Sequence, residues 1–309
     1  MIENRIKHRH LSSFVEVARL KSIGKAAISL SISQPAVSKT IRELEEILGV
    51  ELFDRSHRSV VLSYYGEVFL RFAGASIAAL RQGVESVELA LQQGASIVRM
   101  GALASASSRV LPEAVSRFLG TSVGTTPQII TADNLSILNH LRAGELDFVL
   151  GRMGSSSDMI GLAFEHLYTE RVAVVARRDH PLFAQGAKLG RLSDYVVLVP
   201  PPGSTIHAHA VELLIRLAAG PKLRRIDTVS TTFGRAFTTT NDAIWIAHYG
   251  EVVGDLMAGT LRELPVDTSD TFGPLGLIVR SGAPLTLGAE LMMAAIRDVA
   301  KGVRDEGEP

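Results

Sequence analysis

Residues 22–48, SIGKAAISLSISQPAVSKTIRELEEIL, contain the polar side chains whose types and spacing best suit recognition chemistry. The candidate recognition residues are Ser33, Gln34, Pro35, Ser38, Lys39 and Arg42. Glutamine can pair bidentately with adenine, lysine and arginine bind guanine or phosphate, and serine binds either, so this set suits the major groove of DNA. A solvated face on an ordinary helical hairpin is the alternative, because helix-turn-helix patterns recur by chance.

Two short amphipathic helices are predicted to position these side chains. Their apolar residues recur at helical spacing, at Ala26, Ala27 and Leu30 and then at Val37, Ile41, Leu44 and Leu48. Ser33 is predicted to cap the second helix, and Pro35 fits its first turn, where a missing N–H costs nothing. Each helix therefore buries one stripe and leaves its other face free.

Elements on either side complete a small head. Residues 10–20 form a predicted first helix, and Gly49 is placed to end the helix that carries the candidate residues. Residues 50–62 are typical of a two-stranded wing whose tip carries Arg55 and Arg58, which can reach phosphates or the minor groove. A surface hairpin that happens to hold two arginines is the alternative.

Residues 64–93 predict one long helix. Its apolar stripe consists of Phe69, Phe72, Leu80, Val84, Val87 and Leu91. Thirty helical residues span about 45 Å, which is more than a small head needs. We expect the same helix of a second subunit to cover this stripe, and residues 94–96 to form a linker.

Composition bounds the class of protein. The chain has 309 residues and no net charge, but residues 1–62 hold ten Lys and Arg against seven Asp and Glu, while the remainder holds 22 against 25. This mild asymmetry is typical of a DNA-binding head on a larger protein. The absence of cysteine excludes disulfides and thiolate zinc sites. The charged start MIENRIKHRH and the lack of an apolar run of about 18–20 residues favour a cytoplasmic location without membrane contact.

Beyond residue 96, short apolar runs alternate with helical patterns. Predicted strands cover residues 97–103, 128–131, 147–151, 171–176, 194–199, 225–229 and 243–248, and predicted helices cover residues 110–119, 135–143, 208–217 and 234–239. Such alternation predicts a mainly parallel sheet with helices on both faces. We expect two such units, with the chain crossing between them near Glu165 and Val266, and a disordered tail at residues 304–309.

Three predicted strand-to-helix turns form a candidate ligand site, because helix N-termini and hydroxyl groups favour an anion. They cover residues 104–108, 131–134 and 200–205, and their candidate binding residues are Ser105, Asn134, Gly203, Ser204 and Thr205. The alternative is that each turn is only an N-cap, a role that serine often takes.

Arg152 follows the apolar run DFVLG, at the end of a predicted strand where open α/β sheets bind ligands. Its guanidinium could hold a carboxylate bidentately, and a surface ion pair with Asp147 or Asp158 is the alternative. Phe233 and Arg235 are predicted to shape the wall of the second unit.

No pattern indicates an enzyme, a metal site or a cofactor. His207 and His209 would point to different faces of a helix and have no evident third ligand, so metal binding is not expected. Neither a nucleophile elbow nor a phosphate-binding glycine loop is present. Trp245 lies in an apolar run and is predicted to be a core residue.

The segment HLSSFVEVARLKSIGKAAISLSISQPAVSKTIRELEEILGVELFDR resembles the N-terminal winged helix-turn-helix of LysR-type transcriptional regulators. The resemblance continues through VRMGALAS, LRAGELDFVLGR and VVARRDHPLF, so it covers nearly the whole chain. Two further segments, GEVFLRFAGASIAALRQGVESV and STTFGRAFTTTNDAIWIAHYGEVV, are most similar to regulators of the protocatechuate (pca) operon or to the related regulators of sugar-binding-protein operons.

The resemblance implies an N-terminal all-α winged helix-turn-helix, a long linker helix, and a C-terminal α/β effector domain of two Rossmann-like lobes, like a periplasmic binding protein. The implied bounds are residues 1–63, 64–94 and 95–309, with lobe I at 95–165 and 267–303 and lobe II at 166–266. It implies a homo-oligomer, with dimeric heads in a tetramer, that binds double-stranded promoter DNA and contacts RNA polymerase. In members that respond to muconate-like diacids, the positions matching Ser105, Asn134 and Arg152 contact the ligand.

The favoured hypothesis is thus a sequence-specific transcriptional regulator that responds to a small organic acid, with protocatechuate catabolism as the expected pathway. Control of a sugar or other solute-uptake operon is the alternative within that class. A solute-binding or enzymatic α/β protein whose helical head serves only oligomerisation is the rival from a different class.

Overall fold

The computed structural model describes residues 5–54, 60–92, 96–121, 124–184, 189–217 and 223–307. The head contains helices α1 (His8–Leu20), α2 (Ile23–Ser29) and α3 (Gln34–Leu48). Phe14 of α1 and Leu44 of α3 are fully buried in one apolar core that all three helices share. The predicted apolar stripes therefore meet, and the opposite face of α3 is left for solvent.

Local capping explains where α3 begins and ends. The Ser33 hydroxyl accepts the backbone N–H of Ala36 at 3.4 Å, and Pro35 lies in the first turn, as predicted. Gly49 has a φ of 72°, the left-handed conformation that commonly ends a helix and that glycine adopts without steric cost. These caps leave the N-terminal end of α3 protruding from the head.

The predicted wing is confirmed as an antiparallel pair of strands, β1 (Phe53–Asp54) and β2 (Val61–Leu62). The buried carboxylate of Glu45 accepts the backbone N–H of Leu52 at 2.8 Å, which ties α3 to the wing. The predicted tip residues Arg55 and Arg58 lie outside the described residues.

The predicted long helix is confirmed as α4 (Tyr64–Gln92). One of its faces has no cover within the described parts of this chain, and Phe72, Leu80, Val84 and Val87 are each more than half exposed there. The side chain of Leu91 and residues 94–95 of the predicted linker lie outside the described residues. An uncovered apolar stripe of this length is the surface that a second helix would bury.

Lobe I of the C-terminal domain is a five-stranded sheet with helices packed against it. Its strands, in spatial order, are β4 (Thr125–Thr131), β3 (Ser96–Ala102), β5 (Phe148–Arg152), β12 (Gly273–Arg280) and β6 (Leu162–Glu170). Its helices are α5 (Ala104–Arg109), α6 (Leu111–Thr121), α7 (Asn134–Arg142) and α12 (Leu287–Gly307).

Lobe II is a second five-stranded sheet of the same kind. Its strands, in spatial order, are β11 (Leu261–Glu263), β7 (Val172–Arg177), β10 (Ala243–His248), β8 (Val196–Val199) and β9 (Arg224–Asp227). Its helices are α8 (Pro181–Ala184), α9 (His207–Arg216), α10 (Thr231–Thr240) and α11 (Tyr249–Ala258), with short 3₁₀ turns at Leu189–Asp194 and Ser269–Thr271.

The prediction of mainly parallel sheets is wrong. Among the described strands of the two lobes, four pairings are parallel and four are antiparallel. Every antiparallel pairing involves β7 or β12, the first strand after each passage of the chain between lobes. A strand that arrives directly from the other sheet has not returned through a crossover helix, so it need not run parallel to its neighbours.

The first crossing and the tail also differ from expectation. Strand β6 continues to Glu170, so the chain enters lobe II at Arg171 and not near Glu165. The segment LAFEHLYTE has no unbroken apolar run to mark a strand, because β6 lies at the edge of its sheet and exposes Glu165 and His166. The predicted disordered tail is wrong as far as Gly307, because α12 extends to that residue and buries Met292 and Ile296 on lobe I. Among the described residues, no helix is both long and apolar enough to span a bilayer.

Small residues let α4 lie directly against lobe I. Ala73 and Ala78 are almost fully buried there, and Gly74 faces the backbone carbonyl of Arg142 at the end of α7. Gly144, at a φ of 74°, meets Ala78. An ion pair of 3.5 Å between Arg81 and Asp147 adds a polar contact further along α4. Only residues without bulky side chains allow so close an approach between helix and backbone.

Candidate functional site

The candidate DNA-reading surface of the head is the exposed part of α3. Gln34, Lys39 and Arg42 are exposed, and Ser38 is partly buried between them. Gln34, Ser38 and Arg42 are spaced by four residues and therefore share one helix face. Ser33 and Pro35, also exposed, form the tip of that face. The structure brings together all the predicted recognition residues of the helix.

Glu43 lies beside this surface and contacts residues of both α1 and α3. Its carboxylate accepts hydrogen bonds from His10 at 3.3 Å and Arg9 at 3.0 Å, and it lies 4.0 Å from the Lys39 ammonium. The hydrogen bonds from His10 and Arg9 hold the pKa of Glu43 below its usual value. A charged Glu43 therefore connects α1 to α3 beside the exposed face that carries Gln34 and Arg42.

A second candidate site is the interlobe cavity, a space of about 290 Å³ between lobes I and II. Its lining residues are Leu103, Ala104, Thr131, Ala132, Asp133, Asn134, Pro200, Gly203, Ser204, Thr205, Ile206, Thr228, Val229, Trp245, Ile246, Ala247, His248 and Glu251. These residues lie at carboxyl ends of strands and at the starts of helices α5, α7 and α11. Such edges are where open α/β sheets bind ligands.

The structure separates the predicted ligand-site residues into two groups. Asn134, Gly203, Ser204 and Thr205 line the interlobe cavity. Ser105, Arg152 and Phe233 do not: Ser105 and Arg152 are buried, and Phe233 is 41% exposed and stacks on Phe237. The expected direct contact of Phe233 with a ligand therefore has no counterpart in the cavity wall of this conformation.

Arg152 lies behind the cavity in a buried polar network. Its Nη2 donates to the backbone oxygen of Glu170 at 3.0 Å and to Nδ1 of His248 at 3.1 Å, and it lies 3.6 Å from the Glu170 carboxylate. The surface ion pair with Asp147 or Asp158 is thus wrong. The predicted bidentate grip on a ligand carboxylate is not available in this conformation, because the guanidinium is buried and does not line the cavity.

Burial sets the protonation of this network. It raises the pKa of the Glu170 carboxyl, an effect that the nearby Arg152 charge opposes. Burial and Arg152 together hold the pKa of His248 well below its usual value, so this imidazole is neutral at pH 7. The other Glu170 oxygen accepts the backbone N–H of Gly250 at 3.0 Å. Three elements, β5, β6 and the start of α11, are joined by these bonds.

Sequence reasoning missed two cavity residues, His248 and Glu251. Burial and the neighbouring charge of Glu170 raise the pKa of Glu251 to about 7. Both residues follow or end the apolar run AIWIAH, so the rule that located Arg152 at a strand end would have found them as well. Trp245 is buried, as expected, and borders the cavity too.

Arg235, the other predicted wall residue, supports Glu251 from outside the cavity. It donates to the backbone oxygen of Glu251 at 2.8 Å and pairs with Asp255 at 2.7 Å. His207 lies 2.8 Å from the carbonyl oxygen of Pro200, to which it can donate a ring N–H. No group of His, Asp and Glu in the described parts of the chain is arranged to hold a metal ion.

A winged helix-turn-helix joined by a long helix to a two-lobed domain with a cavity between its lobes defines a ligand-responsive transcription regulator. The comparisons with known proteins agree. Residues 8–67 match the family of bacterial regulatory helix-turn-helix proteins, lysR family, and residues 91–301 match the LysR substrate binding domain. The chain belongs to the LysR family of transcriptional regulators, which excludes the rival enzymatic or solute-binding hypothesis.

Individual relatives extend over nearly the full chain. The HTH-type transcriptional regulator PcaQ of Agrobacterium fabrum is 48% identical over 301 residues, 97% of each chain. The uncharacterised regulator YdcI of Escherichia coli is 35% identical over 297 residues, 96% of this chain and 97% of its own. The fold is similar to that of a full-length OxyR variant from Pseudomonas aeruginosa, with a TM-score of 0.60, 21% identity and coverage of 98% of this chain and 99% of the other.

Proposed function

We propose that this LysR-family regulator controls genes of aromatic-acid catabolism and that a small organic acid binds in the interlobe cavity. The observation that carries the proposal is the convergence of polar groups from both lobes on this cavity. Asn134 of lobe I and Ser204 of lobe II line it, and each has a buried side-chain oxygen without a hydrogen-bond partner in the described residues. An acid that donates a hydroxyl proton to the Asn134 oxygen and accepts the Ser204 proton would relieve the cost of burying both oxygens unpaired.

The pathway rests on likeness to PcaQ. Its 48% identity over nearly the whole chain supports the expected link to the protocatechuate operon. The cavity is at the small end of the range for ligand pockets, which suits an acid of one ring or less. Incubating the protein with cis,cis-muconate, protocatechuate and galactose in a thermal-shift assay tests the proposal. Stabilisation by the acids alone supports it, and stabilisation by galactose alone contradicts it.

We also propose a homo-oligomer in the cytoplasm, with the uncovered stripe of α4 buried against a second copy. Phe72, Leu80, Val84 and Val87 supply that stripe. Pairing two heads on one DNA raises the affinity that a single weakly basic head would have. Contact with RNA polymerase stays a prediction. A monomer at micromolar concentration in analytical ultracentrifugation would contradict the dimer.

Gln34→Ala is expected to lower the preference for the operator over unrelated DNA by about tenfold, because a bidentate base contact provides about 1–3 kcal/mol of discrimination. Fluorescence anisotropy with a duplex from the upstream region of the gene and a scrambled duplex measures this ratio. Glu46→Ala, at an exposed position further along α3, is the control and should leave the ratio unchanged. If the ratio for Gln34→Ala equals that of the wild type, the proposal that α3 reads bases in the major groove is contradicted.

Effector binding is expected to weaken as pH rises above 7. The pKa of Glu251 is about 7 in the free protein, and an anion bound beside it favours the protonated carboxyl, so binding takes up a proton. The charged and titratable groups around Glu251 are Glu170, Arg235, His248 and Asp133. Of these, His248 stays neutral across the window because its pKa is far below 7.

Isothermal titration with cis,cis-muconate between pH 6 and 8.5 measures the effect. The dissociation constant should rise by up to about tenfold per pH unit above 7, the limit for one coupled proton. Glu251→Gln keeps the size of the side chain and should flatten the profile. A wild-type profile that is already flat would contradict the role of Glu251.

A further inference from the structure

Three side chains form a hydrogen-bonded chain that runs from lobe I to the interlobe cavity. Nη2 of Arg152 lies 3.1 Å from Nδ1 of His248, and Nε2 of His248 lies 3.0 Å from the hydroxyl oxygen of Thr205. Arg152 is 6% exposed and His248 9% exposed, whereas Thr205 is exposed at the cavity surface. We call this chain the Arg152 relay.

The number of protons on each side chain determines which atom donates in each hydrogen bond of the relay. A guanidinium has five donor N–H groups and no acceptor, so Nδ1 of His248 must accept with its lone pair. A neutral imidazole then carries its single proton on Nε2, which can only donate to the Thr205 oxygen. Rotating the ring by 180° would place carbon atoms against both partners and lose both bonds, so the structure allows one arrangement.

Protonation of His248 would break this arrangement, and its surroundings oppose it. Burial and the Arg152 charge disfavour the imidazolium, and His209 adds to the effect. The carboxylate of Glu170, 3.5 Å from Nδ1, is the neighbour in ion-pair range that would favour it. That carboxylate is shared with Arg152 at 3.6 Å and also accepts the N–H of Gly250, so it compensates the guanidinium.

The proton on Nε2 of His248 determines how the Thr205 hydroxyl is oriented. Its oxygen accepts from His248, and no other hydrogen-bond partner of this hydroxyl is present in the described residues. The hydroxyl proton is therefore free to donate to a group in the cavity. The oxygen keeps a second lone pair, but its proton must point away from His248, where it is available to a ligand.

We propose that Arg152 acts on the effector through His248, and that the relay turns the Thr205 proton away from His248, so that Thr205 donates to an effector with a carboxylate or keto oxygen at that position and selects it. His248 is then a positioning residue and Thr205 a specificity-determining one. Because Arg152 belongs to lobe I and the other two residues to lobe II, the relay exists only in this relative placement of the lobes. The inference rests on the proposed binding of an organic acid in the interlobe cavity.

The relay itself is tested without any effector. Nitrogen-15 NMR of the full chain, labelled at histidine, distinguishes the two neutral tautomers of His248. The Nε2–H tautomer is expected in the wild type, and Arg152→Met should release a mixture of tautomers. An Nδ1–H tautomer in the wild type, or the same Nε2–H signal in Arg152→Met, would overturn the relay.

The role of Thr205 is tested with cis,cis-muconate by isothermal titration. Thr205→Val replaces the hydroxyl by a methyl group of similar size and should weaken binding by about 10- to 100-fold, the range for a hydrogen bond to a charged group. Thr205→Ser keeps the hydroxyl and should bind within about threefold of wild type. Thr126→Val, on the exposed edge strand β4, makes the same chemical change away from the cavity and is the matched control.

His248→Phe and the double variant complete the test. If His248 acts on the effector only through its hydrogen bond to Thr205, the double variant His248→Phe, Thr205→Val should bind muconate no more than about threefold more weakly than Thr205→Val alone. His248→Gln, which presents one acceptor and one donor, should recover part of the affinity. Circular dichroism melts confirm that each variant is folded.

The outcomes separate the two proposals. A wild type that binds none of the ring-cleavage acids in any assay overturns the proposed function and the effector role of Thr205 with it. A wild type that binds muconate while Thr205→Val binds equally well, or while the two substitutions act additively, overturns the effector role of the relay and leaves the proposed function standing.

Discussion

Replacing Glu170 by alanine is expected to destabilise the effector domain by about 3–5 kcal/mol, the cost of breaking a buried ion pair by removing one partner. Glu170 is 1% exposed, and its carboxylate lies 3.6 Å from Arg152. Without it, the buried guanidinium keeps only a backbone carbonyl and a neutral histidine. The backbone N–H of Gly250 also loses its acceptor, which leaves a second polar group unpaired.

Two further variants show which part of Glu170 matters. Glu170→Gln keeps an acceptor for Gly250 and should cost less than the alanine variant. Glu165→Ala on the same strand removes a partly exposed ion pair with Arg297 at 2.7 Å, for which the expected loss is below about 1 kcal/mol. Urea unfolding with fluorescence of Trp245, the one tryptophan of the chain, measures all three. Equal losses for Glu170→Ala and Glu165→Ala would contradict a buried charge network.

Gly74→Ala is expected to force the linker helix away from lobe I. An added Cβ would overlap the carbonyl oxygen of Arg142 and lie 3.1 Å from its carbonyl carbon. Alanine favours a helix over glycine by about 1 kcal/mol, but overpacking against backbone costs about 1–3 kcal/mol or more, so the clash should win. Arg142 cannot easily withdraw, because its guanidinium donates to Asn139 at 2.8 Å and to the carbonyl oxygens of Ile160 and Asp158.

The expected result is faster hydrogen exchange in residues 71–81 and a lower melting temperature. Gly302→Ala is the matched control, because Gly302 is also helical and an added Cβ there meets nothing within 4 Å. That variant should be neutral or slightly stabilising. If the two glycine variants behave alike, the contact between α4 and lobe I is absent in solution.

This contact bears on how an effector could change DNA binding. Helix α7 begins at Asn134 in the interlobe cavity and ends at Arg142 against α4. One rigid helix of nine residues therefore touches both the candidate ligand site and the linker. Measuring the muconate response of Gly74→Ala in the anisotropy assay would show whether that connection carries the signal.

Local sequence patterns were sufficient for the head. The spacing of apolar residues, the serine cap and Gly49 each depend on neighbours within one or two helical turns, and α1 to α4 appear where they were predicted. The strand-end rule also placed Asn134, Ser204 and Thr205 in the cavity, because the carboxyl ends of parallel strands meet at one edge of a sheet.

Tertiary structure alone decided the direction of the strands beside the two crossings, because periodicity within a strand does not show which way its neighbour runs. It also decided the partner of Arg152. The guanidinium binds His248, 96 positions away in the sequence, and the backbone of Glu170, 18 positions away. A carboxylate close in sequence is the natural guess for a charged residue, but a buried charge takes whichever polar group the folded chain brings beside it. The sequence by itself thus identified the candidate DNA-reading helix and the candidate ligand-binding edge, and the fold determined that Arg152 lies one hydrogen-bonded step behind that edge.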